Sequence, residues 1–285
     1  MQKPIESRQR RNFLASCFLG GGGVAADMAL IEPNALGIGR HEVPLGRPAD
    51  AAPVRLLHLS DFHASDCVSL DHIERSVRLG LTTEPDLVCL TGDFISWRWE
   101  EWERYSRILA TLVQQAPTFA VLGNHDGGRW AASSRNHGYE DTFFVRAMLA
   151  QAGVQLLHNA SQPVTIGGWP LTLVGLGDLW AKELDLRAGF SAVPSGGTTI
   201  LLSHNPDTKD INAARPWQLM LCGHTHGGQC RMPFLGTPFA PVRDHRFVEG
   251  LHPWKQRWIH ITRGVGNLHG LRFNCRPEVS LLTLV

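Results

Sequence analysis

The sequence predicts an α/β fold, because short apolar runs alternate with segments of helical periodicity. Six such runs cover residues 54–60, 86–91, 118–122, 171–176, 199–203 and 218–222. Runs this short, bounded by turn residues, are typical of buried strands. Strands that alternate with helices indicate an α/β architecture.

Three segments between or after these runs have apolar residues at steps of three and four, which is the period of an α-helix. The apolar positions are Ile73, Val77 and Leu81 in the first segment, Trp102, Tyr105, Ile108, Leu109, Leu112 and Val113 in the second, and Phe144, Met148 and Leu149 in the third. Gly153 follows the third segment as a typical helix stop.

Polar residues follow each of the six apolar runs directly. In open α/β sheets, ligands gather beyond the carboxyl ends of the strands, so these polar residues are expected to share one edge. Those able to bind a divalent ion through nitrogen or oxygen are Asp61, His63, Asp93, Asn124, His204, His224 and His226. The sequence therefore predicts a metal centre built from distant loops.

The order and spacing of these residues favour a centre with two ions. Asp93 stands alone behind Gly92, and a carboxylate is the side chain suited to bridge a pair of ions. His224 and His226 are two positions apart and lie on the same side of an extended backbone. The glycines beside the candidate ligands allow the chain to turn sharply there.

Composition excludes several classes of protein. The 27 Lys+Arg and 26 Asp+Glu give a net charge of +1, which argues against a partner such as long nucleic acid. A hydrophobic fraction of 43% permits a sizeable core and excludes wholesale disorder. The 14 histidines are more than half the number of acidic residues, which favours metal chemistry.

Residues 1–26 have the parts of an export signal. The basic pair Arg10–Arg11 precedes a short apolar run, and small residues follow up to Ala26. The pair and the residues after it resemble the twin-arginine motif, with a disordered basic tail as the alternative. Residues 27–53 are rich in Pro and Gly and are predicted to be a linker, so that the domain spans 54–285.

Five motifs occur in order along the domain: Asp61-x-His63, Gly92-Asp93, Gly123-Asn124-His125-Asp126, a lone His204, and Gly223-His224-x-His226. Together they resemble the motifs of the calcineurin-like metallophosphoesterases over residues 54–285. The longer strings 203–207 and 223–229 resemble a bacterial branch of this family. That branch contains exported or membrane-associated phosphodiesterases and calcineurin-like UDP-2,3-diacylglucosamine pyrophosphatases.

The resemblance implies a four-layer sandwich of two mixed β-sheets flanked by helices. It also implies that one ion is held by Asp61, His63, Asp93 and His226, and the other by Asp93, Asn124, His204 and His224. His125 is implied to be a catalytic residue that faces the substrate. The expected cofactors are two divalent metal ions, with manganese ahead of iron or zinc.

The expected function is hydrolysis of a phosphodiester or pyrophosphate bond in a small-molecule or lipid substrate. Two ions about 3.5–4 Å apart would hold the phosphoryl oxygens and share the attacking hydroxide, while His125 would assist the leaving oxygen. The alternatives are a nuclease or cyclic-nucleotide phosphodiesterase, and a metal-binding envelope module without turnover.

The expected location follows from the signal. The protein would be exported by the twin-arginine route to the periplasm or the outer face of the inner membrane, with a membrane surface as a further partner. The alternative is a cytoplasmic protein associated with the membrane.

One motif departs from the serine/threonine phosphatase branch of the family. In that branch a further Asp and an Arg follow the Gly-Asp pair, whereas Phe94 and Ile95 follow it here. The acid that would orient His125 is therefore missing from its place, which argues against a protein phosphatase. Asp126 and Asp66 are the remaining candidates for that role.

Three features outside the motifs are candidates for contact with substrate or membrane. Arg263 and Arg272 are expected to hold a phosphate oxygen, with sheet-edge salt bridges as the alternative. Segment 97–102 has three tryptophans and suits either a membrane interface or the packed rim of the site. Segment 232–239 is expected to cover the site, with a membrane-contacting lip as the alternative.

Overall fold

The computed structural model describes residues 23–133, 135 and 137–285 and contains two six-stranded β-sheets. The strands are β1 (Gly37–Val43), β2 (Val54–Leu59), β3 (Leu87–Thr91), β4 (Thr118–Val121), β5 (Gln155–Leu156), β6 (Ala160–Ile166), β7 (Trp169–Gly175), β8 (Thr198–Leu202), β9 (Leu219–Cys222), β10 (Gly250–Trp254), β11 (Arg257–Ile261) and β12 (Glu278–Leu284). The α-helices after β1 are α1 (Leu70–Leu81), α2 (Trp102–Gln115), α3 (Phe143–Ala152), α4 (Leu186–Gly189) and α5 (Thr208–Ile211). Short helical turns of other types cover Asp27–Ile31, Glu32–Asn34, His226–Gly228 and His245–Phe247.

Sheet I has the strand order β1-β12-β2-β3-β4-β5, in which β2 to β5 are parallel and β12 is antiparallel to β2. Sheet II has the order β10-β11-β9-β8-β7-β6, with four parallel strands between two antiparallel edge strands. Both sheets are mixed, which confirms the predicted architecture. Because the parallel strands share a direction, their carboxyl ends meet at one edge of each sheet.

An apolar core fills the space between the sheets. Leu56 and Cys89 of sheet I belong to one buried cluster with Leu173 and Leu202 of sheet II. Successive side chains of a strand point to opposite faces, so the intervening residues, such as Leu57, pack against α1, α2 and α3 instead. The inner strands therefore consist of continuous apolar runs, and this is why the sequence identified them.

The two outer faces are covered differently. Three full helices cover sheet I, whereas sheet II packs against α4, the residues after it, and loop residues such as Phe247. Trp217 is 1% exposed and stacks on Trp254 at 5.6 Å between ring centroids, filling part of that outer layer. The fourth layer of the sandwich is therefore thin and consists mostly of loops.

The predicted elements are present with small shifts at their ends. All six predicted strands are found, as β2, β3, β4, β7, β8 and β9. Helix α1 begins after Ser69, whose hydroxyl accepts the His72 N–H. Helix α3 ends at Ala152 and is capped by Gly153, where φ is 78°, a left-handed value that glycine adopts without strain.

The predicted linker over 27–53 contains a strand. Residues 37–43 form β1, which pairs in parallel with β12 and places Val43 in the core between the sheets. The folded part of the chain therefore begins before residue 54. The sequence did not predict β1 because Gly37, Gly39 and Arg40 interrupt its apolar pattern.

The predicted export signal lies mostly outside the described residues, which begin at Gly23. From there to the carboxyl terminus, the described part of the chain has no helix of the length and hydropathy that crossing a membrane requires.

Candidate metal centre

The seven predicted ligands come together where strands of both sheets end. Asp61, His63, Asp93 and Asn124 follow the strands β2, β3 and β4 of sheet I, and His204, His224 and His226 follow β8 and β9 of sheet II. Each of the seven is at most 4% exposed. Five loops that are far apart in sequence thus form one buried polar cluster.

Five of these residues have a left-handed backbone, with φ between 49° and 71°: Asp61, His63, Asp93, His224 and His226. Such a conformation costs a non-glycine residue on the order of 1–3 kcal/mol and persists only where the surroundings enforce it. The backbone N–H groups of Asp61 and His63 donate to the carbonyls of Gly92 and Asp93, at 2.9 and 3.0 Å. Strain of this kind concentrates at functional sites.

Two glycines are required by close approach to the acidic ligands. A Cβ atom at Gly123 would lie 2.2 Å from Asp93 Oδ1, and one at Gly223 would lie 2.2 Å from Asp61 Oδ2. Neither distance is compatible with a side chain, so the motif glycines let the carboxylates lie against the backbone of the neighbouring loop.

The first half of the cluster consists of Asp61, His63 and His226. His63 Nε2 lies 3.1 Å from His226 Nε2, and His226 Nε2 lies 3.4 Å from Asp61 Oδ1. Asp93 Oδ2 is 3.4 Å from His63 Nε2. Nitrogen and oxygen ligand atoms therefore converge on one small volume.

The second half consists of His204 and His224 with Asn124. His204 Nε2 lies 3.0 Å from Asp93 Oδ2 and 3.3 Å from His224 Nδ1. The same oxygen of Asp93 thus contacts a histidine of each half, which is the position that a bridging ligand needs. Asn124 Oδ1 is buried without a hydrogen-bond partner among the described residues.

The hydrogen bonds and charges of the cluster fit a metal site. His204 Nδ1 lies 2.6 Å from the Thr91 carbonyl, so Nδ1–H donates to it and Nε2 points toward Asp93. Burial, together with neighbouring rings, holds the pKa of His224 and His226 well below the ordinary value, which leaves neutral imidazoles with free lone pairs.

The two carboxyl groups of the cluster differ, because burial raises the pKa of Asp61 although His204 opposes the shift, whereas Asp93 stays charged. Burial opposes ionisation of Asp93, but His204 and His125 hold its pKa well below the ordinary value. Burial likewise opposes the charged form of His204, yet Asp93 and Asp61 hold the pKa of His204 well above its usual range. An imidazole, carboxylate and amide donor set of this kind suits borderline divalent ions.

His125 lies beside the cluster but is oriented toward the cavity. Its Nδ1 is 2.8 Å from the Ser96 carbonyl oxygen, so Nδ1–H donates there, and no hydrogen bond between described residues engages Nε2. Its backbone N–H donates to Asp93 Oδ1 at 2.9 Å. Burial lowers the pKa of His125 to about 4.

Neither acid considered for orienting His125 contacts its ring. The Asp126 carboxylate accepts the backbone N–H groups of Asp93, Phe94 and Gly123, at 2.9, 2.6 and 2.8 Å. Asp66 is exposed at the surface. The Ser96 carbonyl orients the imidazole instead, a contact that depends on backbone position and leaves no residue-type signal in the sequence.

Asp178 is a buried carboxyl near the centre that is not among the seven predicted ligands. It follows β7 behind a glycine, so it had the same signal as Asp93. Its Oδ1 accepts the N–H groups of Trp180 and Ala181, while Oδ2 is buried without a partner among the described residues. Burial raises the pKa of Asp178 to about 6, although His204 opposes the shift.

A cavity of about 440 Å³ opens onto the centre. Its lining includes the polar residues Asp93, Asn124, His125, His224 and His226, the apolar residues Phe239, Pro241, Leu268 and Leu271, and the tryptophans Trp130 and Trp180. Trp180 packs edge-on against His224 at 4.3 Å between centroids, and Trp130 against His125 at 4.7 Å. The cavity therefore joins a polar floor to an apolar wall.

The structure does not bring the two predicted phosphate-binding arginines to this cavity. Arg272 is fully buried, and its guanidinium donates to the carbonyls of Cys275, Arg263 and Gly266 at 3.0, 2.8 and 2.5 Å. Arg263 pairs with Glu278, with 2.6 Å between Nε and Oε2. Arg272 connects the loops behind His226, and Arg263 forms the salt bridge that was the alternative expectation.

The two aromatic segments have different surroundings. In segment 97–102, Trp97 packs edge-on against His125 at 5.7 Å, and Trp99 and Trp102 pack against the helical core, as a packed rim requires. In segment 232–239, only Phe239 lines the cavity, whereas Phe234 and Leu235 are 107% and 76% exposed. The segment therefore covers the site only in part and has an apolar tip in solvent.

Sequence comparisons agree with this geometry. The profile of the calcineurin-like phosphoesterases matches residues 54–228. The chain is 41% identical over 260 residues to phosphodiesterase YaeI of Escherichia coli, covering 90% of this chain and 92% of that protein. It is 27% identical over 300 residues to UDP-2,3-diacylglucosamine pyrophosphatase LpxG of Chlamydia trachomatis, covering 88% of this chain and 90% of that protein.

An uncharacterised metallophosphoesterase, YkuE of Bacillus subtilis, is 26% identical over 293 residues and is covered over 99% of its length. The five ordered motifs, the two mixed sheets and the buried donor cluster agree with the profile match over more than half of the chain. This chain therefore belongs to the calcineurin-like phosphoesterases, a family of metal-dependent hydrolases.

Proposed function

We propose that this protein hydrolyses a phosphodiester or pyrophosphate bond in an amphiphilic substrate. The phosphorus centre would lie at the seven clustered side chains, with an apolar group of the substrate on the cavity wall. The observation that supports this is the continuity of the cavity, because one space of about 440 Å³ is lined both by His125 and by Phe239 and Leu271. Pockets that combine an apolar wall with a few convergent polar groups are typical of small-molecule sites.

Two divalent ions would be held by Asp61, His63, Asp93 and His226 on one side and by Asp93, Asn124, His204 and His224 on the other. When bound, they supply positive charge for the phosphoryl oxygens and activate water. Asp93 supports this division, since its Oδ2 contacts His63 and His204. Manganese is the ion that we propose, with iron and zinc as the other ions that this donor set accepts.

His125 is proposed as the catalytic residue at the leaving oxygen. The hydrogen bond from Nδ1 to the Ser96 carbonyl fixes the ring, and the backbone bond to Asp93 fixes the loop. Nε2 is then the atom available to the substrate, at the border between the polar floor and the rest of the cavity lining. Because Nδ1–H donates to the Ser96 carbonyl and burial lowers the pKa of the ring to about 4, Nε2 would have to gain a proton, held there by the negative charge of the bound phosphoryl group, in order to donate to the departing oxygen.

The names of two relatives support this substrate class. YaeI is described as a phosphodiesterase, and LpxG as a pyrophosphatase of a diacylated sugar nucleotide. A diacylated substrate has a phosphoryl linkage beside hydrocarbon chains, which matches the division of the cavity into Asp93 and His125 on one side and Phe239, Leu268 and Leu271 on the other.

The substrate proposal is tested by comparing two classes of phosphodiester. The wild-type protein with manganese is expected to hydrolyse bis-p-nitrophenyl phosphate faster than p-nitrophenyl phosphate, and to hydrolyse a diacylated pyrophosphate with a lower KM than its deacylated form. Phe239→Ser should raise the KM for the diacylated substrate alone. Phe143→Ser changes a phenylalanine that is 66% exposed outside the cavity, and it should leave both KM values unchanged.

Two results would contradict the proposal. Equal KM values for the diacylated and deacylated substrates in wild type would remove the role of the apolar wall. Absence of hydrolysis of every diester and pyrophosphate, with metal bound, would favour a metal-binding module without turnover.

Membrane association after twin-arginine export is the second part of the proposal. It is supported by the Arg10–Arg11 pair and by the exposed tip Phe234–Leu235, which lies in the same segment as Phe239 of the cavity wall. Replacement of Arg10 and Arg11 by lysine is expected to retain the protein in the cytoplasm on fractionation.

The membrane contact is tested separately with vesicles. Phe234→Ser with Leu235→Ser should reduce cosedimentation with phospholipid vesicles, whereas Ile211→Ser, a change of a 48% exposed residue outside that segment, should not. Equal cosedimentation of all variants would contradict the membrane role of the tip.

A further inference from the structure

A second group of histidines lies within the regular strands, between the two sheets. His58 on β2 and His260 on β11 are fully buried, and His41 on β1 is half-buried. His58 stands two residues from Leu56, and His41 stands two residues from Val43, both of which belong to the core between the sheets. His260 stands two residues from Trp258, which packs against that core. Because side chains alternate along a strand, the three histidines face the space between the sheets.

The hydrogen bonds of His58 and His260 leave one buried nitrogen without a partner. His58 Nε2 lies 2.8 Å from Thr91 Oγ1, and His58 Nδ1 lies 2.9 Å from His260 Nδ1. If His58 donates through Nε2–H, its Nδ1 accepts the Nδ1–H of His260, and both rings are neutral. His260 Nε2 then has a free lone pair in a fully buried position, with no partner among the described residues.

Glu278 brings a carboxylate to the same place. It stands at the start of β12 and is 6% exposed. One ligand atom from each of His41, His260 and Glu278 lies within 4.8 Å of the other two. A Cβ atom at Gly39 would lie 2.6 Å from Glu278 Oε1, so this glycine in β1 makes room for the carboxylate beside His41.

We propose that His41, His260 and Glu278 bind a third metal ion, a borderline divalent cation of the zinc type, which fastens β1 and β12 of sheet I to β11 of sheet II. Two imidazoles and a carboxylate form a donor set that suits zinc, with a remaining position for water at the half-buried side of His41. The ligating His260 would donate its other N–H to His58, as metal-bound histidines do to a second group.

The charges around the site are compatible with a cation. Burial and the neighbouring His58 hold the pKa of His260 well below its ordinary value, so the ring is neutral, which is the form that binds metal. Arg263 pairs with Glu278 Oε2, and Ser280 donates to Glu278 Oε1. These contacts use two of about four acceptor positions that a carboxylate offers, and the others remain for an ion.

Such an ion would act on the fold. β1 is an edge strand whose bonds in sheet I are to β12, and it follows directly on the amino-terminal segment. A bond from His41 to His260 would tie this strand to the opposite sheet as well. The site therefore goes beyond the proposed hydrolysis, which needs the ligands at the strand ends and none of these three residues.

The test measures the zinc content of the full-length protein. The protein is stripped of metal with a chelator, reloaded with zinc and separated from excess zinc by gel filtration, and the bound zinc is then measured by mass spectrometry. Wild type is expected to retain three zinc ions per chain and His41→Ala two. His245→Ala removes an exposed histidine outside both clusters and should retain three. Turnover of the diester by His41→Ala should match wild type.

A second pair of variants separates this site from the centre at the strand ends. Asp93→Asn and the double variant Asp93→Asn/His41→Ala are expected to differ by one zinc ion, and zinc should raise the melting temperature of the single variant more than that of the double variant. The proposal would be overturned if wild type and His41→Ala retained equal zinc, and Asp93→Asn and Asp93→Asn/His41→Ala did so too. Two zinc ions in both wild type and His41→Ala would also overturn it. These results do not depend on catalytic activity.

Discussion

The protein has two buried histidine clusters, and they differ in the backbone that presents them. At the strand ends, His63, His224 and His226 have positive φ values, whereas His58 and His260 lie in β2 and β11 with ordinary ladder pairing. A loop with such backbone angles can direct several side chains of one short segment toward the same place. The strands present only every second residue to a given face.

This difference explains why seven candidate ligands converge at the strand ends, whereas the cluster in the strands offers three. The strained loops at the strand ends need outside support, which comes from Asp126 and from bonds between neighbouring loops. The strands β2 and β11 need no such support, because their backbone is held by regular pairing with neighbouring strands. We therefore expect substitutions in the first cluster to affect chemistry and those in the second to affect stability.

The largest effect is expected from Asp93→Asn. The change removes the charge that faces both His63 and His204, so both halves of the centre should lose affinity for metal. Hydrolysis of bis-p-nitrophenyl phosphate should fall by about 10³-fold or more. Metal analysis of the reloaded variant should show loss of ions from the strand-end centre, and full metal content with wild-type kcat would refute the bridging role.

His125→Asn should produce the next largest effect. The variant keeps the metal ligands and removes the group proposed to act at the leaving oxygen, so kcat should fall by about 10²- to 10⁴-fold while metal content stays at the wild-type value. A substrate with a good leaving group should be affected less than one with a poor leaving group. Equal losses for both would argue against a role at the leaving oxygen.

Gly223→Ala tests the close approach between the loops. A Cβ atom there would lie 2.0 Å from Ser60 Oγ and 2.2 Å from Asp61 Oδ2, so the Asp61 carboxylate must move. Metal affinity is expected to fall by about 10- to 100-fold, as for other changes that displace a ligand. Gly37→Ala is the control, because no atom lies within 4 Å of its Cβ position, and titration of apoprotein with manganese should not separate it from wild type.

The smallest catalytic effect is expected from His58→Ala, which sharpens the contrast between the clusters. The change leaves Thr91 Oγ1 and His260 Nδ1 without their partner, and the free energy of unfolding should fall by about 1–3 kcal/mol. Denaturation in urea measures this loss, and kcat for the diester should equal that of wild type. A large fall in kcat with unchanged stability would mean that the strand cluster takes part in the reaction.

Sequence reasoning identified the features that depend on local pattern. The six inner strands are continuous apolar runs, so their positions can be predicted within a few residues. The seven candidate ligands come directly after those runs, so the same pattern points to them. Asp178 has the same placement behind β7, so the pattern that indicates Asp93 also indicates Asp178. Strand β1 was missed because its glycines and polar residues hide the alternation.

The α/β class, the order of the motifs and the residue types able to bind divalent ions can be derived from the amino-acid sequence, since these depend on periodicity and on side-chain chemistry. Three contacts are visible only in the folded chain: Ser96 rather than an acid orients His125, the Arg272 guanidinium donates to backbone carbonyls, and ligand atoms of His41, His260 and Glu278 lie within 4.8 Å of one another. These contacts join segments far apart in the chain, and two of them use backbone carbonyls, which every residue type has. Such contacts arise from how the sheets pack, and no spacing along the chain reports them.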